Sequence, residues 1–271
     1  MLDELVAAKR AEVDQLRRLR EQGRLPELVP ARGPGLAQAI EGCQGTAVIA
    51  EYKRASPSKG VIREDMGPEE AGEIFFRAGA SAISVLTEAS RFQGEMGFLA
   101  RMEGAGLPLL RKDFILDPLQ VRHTATTPAS AVLVIAAVFR DSPGQMADIC
   151  ACARELGLEP VLEITREQEL DPVRRAGARL IQVNNRDLVT LCVDREASRR
   201  LIRERDPQEL WISASGIASP EDVGQVRDLG YDACLVGTSI MQSPAPGEFL
   251  AGLVRAGANK GGTRCGSRSA D

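Results

Sequence analysis

The stretch AVLVIAAVFRDSPGQMADICACARELGLEPVLEI (131–164) decides the fold. It opens with an unbroken apolar run, AVLVIAA (131–137), which suits a strand buried on both faces. A helical pattern over Gly144–Leu156 follows, Gly157 stands where that helix should stop, and PVLEI (160–164) begins a second buried strand. Strand, helix and strand in this order predict a parallel pair, because the helix carries the chain back to the starting end of the sheet.

The same unit repeats outward in both directions. Upstream runs are TAVIAEY (46–52), AISVLTE (82–88) and LPLLRKD (107–113); downstream runs are LIQVNN (180–185), LWISAS (210–215) and ACLVGT (233–238). Helical patterns alternate with them at Pro68–Arg77, Glu95–Glu103, Leu119–Thr126, Arg166–Arg175, Arg195–Glu204, Pro220–Leu229 and Pro246–Val254. Ser219-Pro220 followed by Glu221 and Asp222 is a helix start, and Gly79, Gly177 and Gly230 are helix stops. Eight strand–helix units predict an α/β fold, a closed (β/α)8 TIM barrel, and the 271 residues suit a fold that needs roughly 250. Residues 1–45 read as an N-terminal helical extension, Asp3–Gln22 and Leu36–Glu41, docked on the barrel. The expected division is one domain over 1–257 and a disordered tail over 258–271, ANKGGTRCGSRSAD, which has no apolar pattern.

Composition narrows the class. Hydrophobic residues are 44% and aromatics only 4%, so the core is aliphatic. The net charge is −4 without a block of one sign, which gives no footprint for nucleic acid. The amphipathic start MLDELVAAKRAEVDQLRRLREQ is not a signal peptide, and no apolar run nears the ~20 residues of a membrane span. Cys43, Cys150, Cys152, Cys192, Cys234 and Cys265 lack a repeated pair spacing and read as small apolar residues in a reducing cytoplasm. His123 is the sole histidine, which leaves little for a metal centre or a Ser-His-Asp triad.

A barrel of this kind carries its active site at the C-terminal strand ends, so the residues closing each run are the ones to read. The first run ends in Glu51 and Lys53, the third in Lys112, the fifth in Glu163, and the sixth in Asn184 and Arg186. Spacing of two puts Glu51 with Lys53, and Asn184 with Arg186, on one face of an extended chain. Any one of these alone is explained as a solvated or paired strand-end charge. Four strands converging give two cations and two anions in a small volume, an arrangement suited to acid–base chemistry. Ser215-Gly216 and Gly237-Thr238-Ser239 after the last two strands match the recurrent phosphate position of such barrels, and Ser56, Ser58 and Lys59 add donors at the same rim. Phe92, in a polar context, is a candidate contact for a flat ring; core packing explains Phe114 as well as substrate contact does.

Ile49-Ala50-Glu51-Tyr52-Lys53-Arg54-Ala55-Ser56-Pro57-Ser58-Lys59-Gly60 closely resembles the signature of indole-3-glycerol-phosphate synthases. The likeness continues through Ile83–Glu88, Phe92-Gln93-Gly94, Leu110–Ile115, Val161–Ile164, Asn184–Leu188 and Val236–Met241. The resemblance implies a carboxy-lyase of tryptophan biosynthesis that closes the indole ring of 1-(2-carboxyphenylamino)-1-deoxyribulose 5-phosphate, with loss of CO2 and water. It implies Lys112 as the general acid, Lys53 as holder of a substrate anion, Glu51 and Glu163 as proton carriers, and Asn184 and Arg186 as orienting groups. Ser56, Ser215, Gly216, Gly237 and Thr238 would surround the phosphate, while Phe92, Leu133 and Leu188 would bound the ring. It also implies no metal and no cofactor. The expected partner is a phosphorylated small-molecule substrate, with no nucleic acid and no membrane, and the expected state is a monomer or weak homodimer.

Departures from the family pattern accompany the likeness. Where the family carries Ala-Glu-Ser-Gly, this sequence has Ser213-Ala214-Ser215-Gly216, so Ala214 replaces a functional glutamate. Thr127-Pro128-Ala129-Ser130 stands for Gly-Ala-Asp, and Glu95 follows Gly94 where serine is common. Two alternatives stay open: a paralogue acting on a related aryl-amine ketose phosphate, and a non-catalytic barrel that binds a phosphorylated ligand. A sugar-phosphate isomerase or a different barrel lyase is a weaker fit, since isomerisation needs fewer charged groups than Glu51, Lys53, Lys112 and Glu163 supply.

Overall fold

The computed structural model describes residues 2–29 and 34–258. Eight strands, β1 (Ala47–Tyr52), β2 (Ala82–Leu86), β3 (Leu109–Lys112), β4 (Ala131–Ile135), β5 (Glu159–Ile164), β6 (Leu180–Asn184), β7 (Leu210–Ala214) and β8 (Ala233–Val236), form a closed barrel. Every pairing is parallel, each strand joins its neighbours in sequence, and β1 closes the ring on β8 through Ala47 opposite Ala233. This is the (β/α)8 TIM barrel that the alternating apolar runs predict.

Residues two apart on a strand share a face. Ile49, Leu110, Leu133, Val161, Ile212 and Leu235 accordingly meet in one buried cluster inside the barrel. Their outward neighbours, such as Val48, Val132, Leu162 and Ile181, pack against the surrounding helices. Helices Pro68–Arg77 and Leu36–Glu41 have the expected bounds. Others differ in detail: Glu95–Glu103 is a short helix, Gly97–Arg101, followed by a 3-10 turn, and AVLVIAA leaves the strand at Ile135 for a 3-10 turn over Ala136–Phe139. Two small elements carry no apolar period and were not expected, a hairpin pairing Ala55-Ser56 with Gly60-Val61 and a short helix Ala89–Phe92. Glu88 caps that helix by accepting from the N–H groups of Ser90, Arg91 and Phe92.

The two N-terminal helices dock at opposite ends. Leu36, Ala37 and Ile40 plug the N-terminal mouth, where the Ala37 N–H donates to the Glu159 carboxylate at the foot of β5. Helix Leu2–Glu21 lies against the opposite rim through one buried polar network. Lys9 Nζ meets the Asp113 carboxylate at 2.8 Å, and Arg111, wholly buried, donates to Asp113, Glu12, Thr87, Thr124 and the Gln120 carbonyl. Burial raises the Asp113 and Glu12 carboxyls, but the adjoining Arg111 and Lys9 outweigh it and hold both below the usual carboxylate range. Ala258 bridges to Gly45, and residues 259–271, on which the expected tail and Cys265 fall, lie outside the described residues.

Candidate active site

The inward alternation of the strands delivers charge to the C-terminal mouth. Glu51 on β1, Lys112 on β3, Glu163 on β5 and Ala214 on β7 are the last or nearly last residues of alternate strands. Lys53 Nζ lies 2.5 Å from Glu51 Oε1, and Lys112 Nζ lies 3.8 Å from Glu163 Oε2. Asn184 Nδ2 donates to Glu163 Oε1 at 3.0 Å, while Asn184 Oδ1 accepts from the Arg186 N–H. Burial is the largest influence on Glu51 and raises its carboxyl, yet Lys53, Lys112 and Arg186 together leave it below the usual range. Glu51 is therefore a carboxylate held among cations.

Above these groups opens a cavity of about 740 Å³, within the range of small-molecule sites. Glu51, Lys53, Lys112, Asn184, Arg186 and Ser215 line it. The rim residues Ser56, Ser58, Gly216, Gly237 and Thr238 line it too, as do Phe92, Phe114 and Leu188. Ser56 Oγ is buried there without a hydrogen-bond partner among the described residues. It is an unpaired polar group in the wall of the cavity that Lys59 and Gly237 also line. Ser215 and Gly216 both have positive φ, +69° and +78°, so the chain at the end of β7 takes two consecutive left-handed steps. For a serine that conformation is strained, and such strain concentrates at functional sites. Side chains are excluded from both rim glycines: a Cβ on Gly216 would stand 2.8 Å from Val193 Cγ1, and one on Gly237 would run into Glu51.

Two expected residues are not in the wall. Leu133 is 1% exposed and packs inside the barrel beneath the cavity, because an inward position in the middle of β4 faces the core and not the mouth. Glu163 is also 1% exposed and meets the cavity through Lys112 and Asn184. Other wall residues escaped the sequence reading. Leu5 reaches the cavity from the N-terminal helix, and Leu191, Val193 and Arg195 reach it from the segment after β6. Arg195 is already paired with Asp222, whose carboxylate also accepts from the Ala218 N–H. Gln182, one inward position below Asn184, donates to Glu163 Oε2 at 2.6 Å. Its sequence signal was a polar residue sharing the inward register of an apolar run with Asn184.

Ala214, where the family pattern has glutamate, presents a methyl group to the cavity and is 2% exposed. Among the described residues no helix is long and apolar enough to cross a membrane, and no cluster of His, Cys, Asp or Glu could hold a metal ion.

Comparison with known proteins agrees with this geometry. Solved structures resemble the chain in fold: a 3-hexulose-6-phosphate synthase aligns with TM-score 0.60 at 14% identity, over 79% of this chain and 100% of that one. The tryptophan synthase alpha chain of Legionella pneumophila subsp. pneumophila aligns with TM-score 0.59 at 11% identity, over 82% and 96%. In sequence, the indole-3-glycerol phosphate synthase of Desulfotalea psychrophila is 40% identical over 94% of this chain and 98% of its own. That of Salinibacter ruber is 37% identical over 93% and 94%. The family described as indole-3-glycerol phosphate synthase matches residues 2–253. With its charged mouth, its glycine rim and this match over nearly the whole length, the chain belongs to the indole-3-glycerol phosphate synthase family.

Proposed function

We propose that the protein is an indole-3-glycerol-phosphate synthase, a carboxy-lyase. It closes the ring of 1-(2-carboxyphenylamino)-1-deoxyribulose 5-phosphate and releases CO2 and water. The observation that carries this reading is the convergence of Glu51–Lys53 and Lys112–Glu163 at the floor of a cavity whose rim is Ser56, Ser215, Gly216, Gly237 and Thr238. The phosphate sits at the rim, where backbone N–H groups and hydroxyls can donate without a side chain in the way. Phe92, Phe114 and Leu188 bound the aromatic ring, and Lys53 exchanges its Glu51 partner for the substrate carboxylate.

Ring closure needs the ketose carbonyl made electrophilic. Lys112 protonates it, and the neighbouring Glu163 keeps the ammonium in place until then. Attack of the ring carbon leaves a cationic ring, from which CO2 departs to restore a neutral system. Loss of the resulting hydroxyl as water then needs one proton delivered and one removed. Glu163 accepts the proton that is removed, Glu51 relays to the leaving hydroxyl a proton drawn from solvent, and Asn184 and Arg186 orient the substrate oxygens. All of this chemistry falls to one barrel domain. Five described cysteines are free, which suits the reducing cytoplasm where we place the reaction.

Ala214 favours one second reading, a paralogue that takes a related aryl-amine ketose phosphate, since the cavity has a methyl where a carboxylate would otherwise stand. The test is turnover of the anthranilate-derived substrate followed by indole fluorescence, with Lys112→Ala alongside. The proposal expects product from the unmodified protein and a loss on the order of 10³-fold or more in kcat for the variant. Indole formation that Lys112→Ala leaves intact contradicts the assignment; no indole at high protein concentration favours the paralogue.

A further inference from the structure

We propose that Gln182 is a positioning residue for Glu163, with a side-chain amide that holds the carboxylate in one orientation and the protonated acid in the other. The proposal rests on the reading above, in which Glu163 exchanges protons with the substrate. Gln182 is fully buried in the inward face of β6, opposite Glu163 in the strand register. A buried amide is costly unless its polar atoms are paired, and an aliphatic side chain would fill the same space without that cost. Only half of this amide is paired. Nε2 donates to Glu163 Oε2 at 2.6 Å, whereas Oε1 is buried with no hydrogen-bond partner among the described residues.

The unpaired oxygen acquires a use when Glu163 is protonated. An uncharged carboxyl bears an O–H that needs an acceptor. Asn184 cannot supply one without cost, because its Oδ1 already accepts from the Arg186 N–H at 3.0 Å. β4 offers Ile135 in register with Glu163, and β7 offers Ile212 in register with Gln182 and the methyl of Ala214. A turn of roughly 180° about the terminal bond of Gln182 exchanges its donor for its acceptor, a rotation with two broad wells. The proton received by Glu163 is then shared with Gln182 Oε1, and the amide turns back when Glu163 releases it. The charged groups facing this pair are Lys112 from β3, at 3.8 Å from Glu163, and beyond it Glu51 and Lys53 from β1 and Arg186 after β6.

Two variants and one spectrum test this. Gln182→Met removes donor and acceptor at nearly constant volume. It is expected to lower kcat about 10–100-fold with KM changed less than about threefold, and to move the acid-side fall of kcat to higher pH. Gln182→Glu keeps a donor only while its new carboxyl is protonated. Its kcat is expected to be highest at the acid end and to fall with rising pH, the opposite response. A role in packing alone would give Gln182→Met the pH profile of the unmodified protein; that result, or a loss confined to KM, overturns the proposal. If neither variant folds, the Gln182 side-chain amide signals in a 15N–1H spectrum serve instead, compared between the unmodified protein and Glu163→Gln. Displaced signals support the contact and unmoved ones overturn it. Absence of turnover by the unmodified protein removes the functional reading and this one with it. Turnover with unchanged profiles removes this one alone.

Discussion

Replacing Gly237 by alanine should damage catalysis through a residue nearly two hundred positions away. The φ of Gly237 is −127°, so alanine brings no left-handed strain, and the rim keeps its N–H. The added Cβ, however, would stand 2.9 Å from Glu51 Cβ and 3.0 Å from its carboxyl carbon. Carbon atoms rest at about 3.5–4.0 Å, so the Glu51 side chain must retreat by roughly 0.5–1 Å. Glu51 is 3% exposed, and the retreat breaks its contact with Lys53. Overpacking of this kind costs about 1–3 kcal/mol of stability, which lowers Tm by about 2–10 °C in a domain of this size. A catalytic group displaced by about 1 Å costs on the order of 10² in rate, or about 2.7 kcal/mol. The assay is kcat/KM for Gly237→Ala, Glu51→Gln and the double variant, with Tm by calorimetry. Because the methyl acts through Glu51, the double variant should lose little more than Glu51→Gln alone. Additive losses, or activity of Gly237→Ala within threefold of the unmodified protein, would refute this reasoning.

Other outcomes follow from the same contacts. Asp113→Ala leaves Lys9 and Arg111 buried without their shared carboxylate and should cost about 3–5 kcal/mol, read by urea titration; a change under 1 kcal/mol on the order of surface effects speaks against the network. Ser219→Ala removes the hydroxyl that accepts from the Asp222 N–H at the start of helix Pro220–Asp228 and should cost about 1 kcal/mol in the same titration. Glu51, Asp113 and Glu12 all sit below their ordinary values in the folded state, so the stability they contribute is complete above the ordinary carboxylate range. It is lost as pH falls through the depressed values. Tm should therefore drop steadily from about pH 5 to about pH 3, and a flat Tm across that window would contradict the electrostatic assignment.

The sequence made the barrel legible because buried parallel strands and their helices obey two different periods, and eight alternations leave few topologies. Strand-end residues were legible for a related reason. A Glu-x-Lys at the end of an apolar run must face the mouth together, and Glu51 with Lys53 does. What stayed hidden depends on contacts across long separations. Leu5 enters the cavity only because Lys9 and Arg111 seat its helix on the rim, and no local pattern announces such a pairing. Leu133 has the composition of a ring contact but a depth that only strand register reveals. Glu88 was read as the end of a strand, whereas it turns the chain by capping three N–H groups of a helix too short to show a period. Gln182 could have been found by asking why a polar residue shares the inward register of β6 with Asn184.

The proposed catalysis depends on Glu51, Lys53 and Lys112 meeting in one pocket under a glycine rim, with Glu163 held against Lys112. A crystal structure with an unreactive reduced form of the substrate bound reads this directly. The phosphate should lie against the backbone of Gly216 and Gly237 near Ser56, with the former carbonyl oxygen within hydrogen-bond reach of Lys112. A phosphate bound away from that rim, or a sugar chain that leaves Lys112 facing solvent, would contradict it.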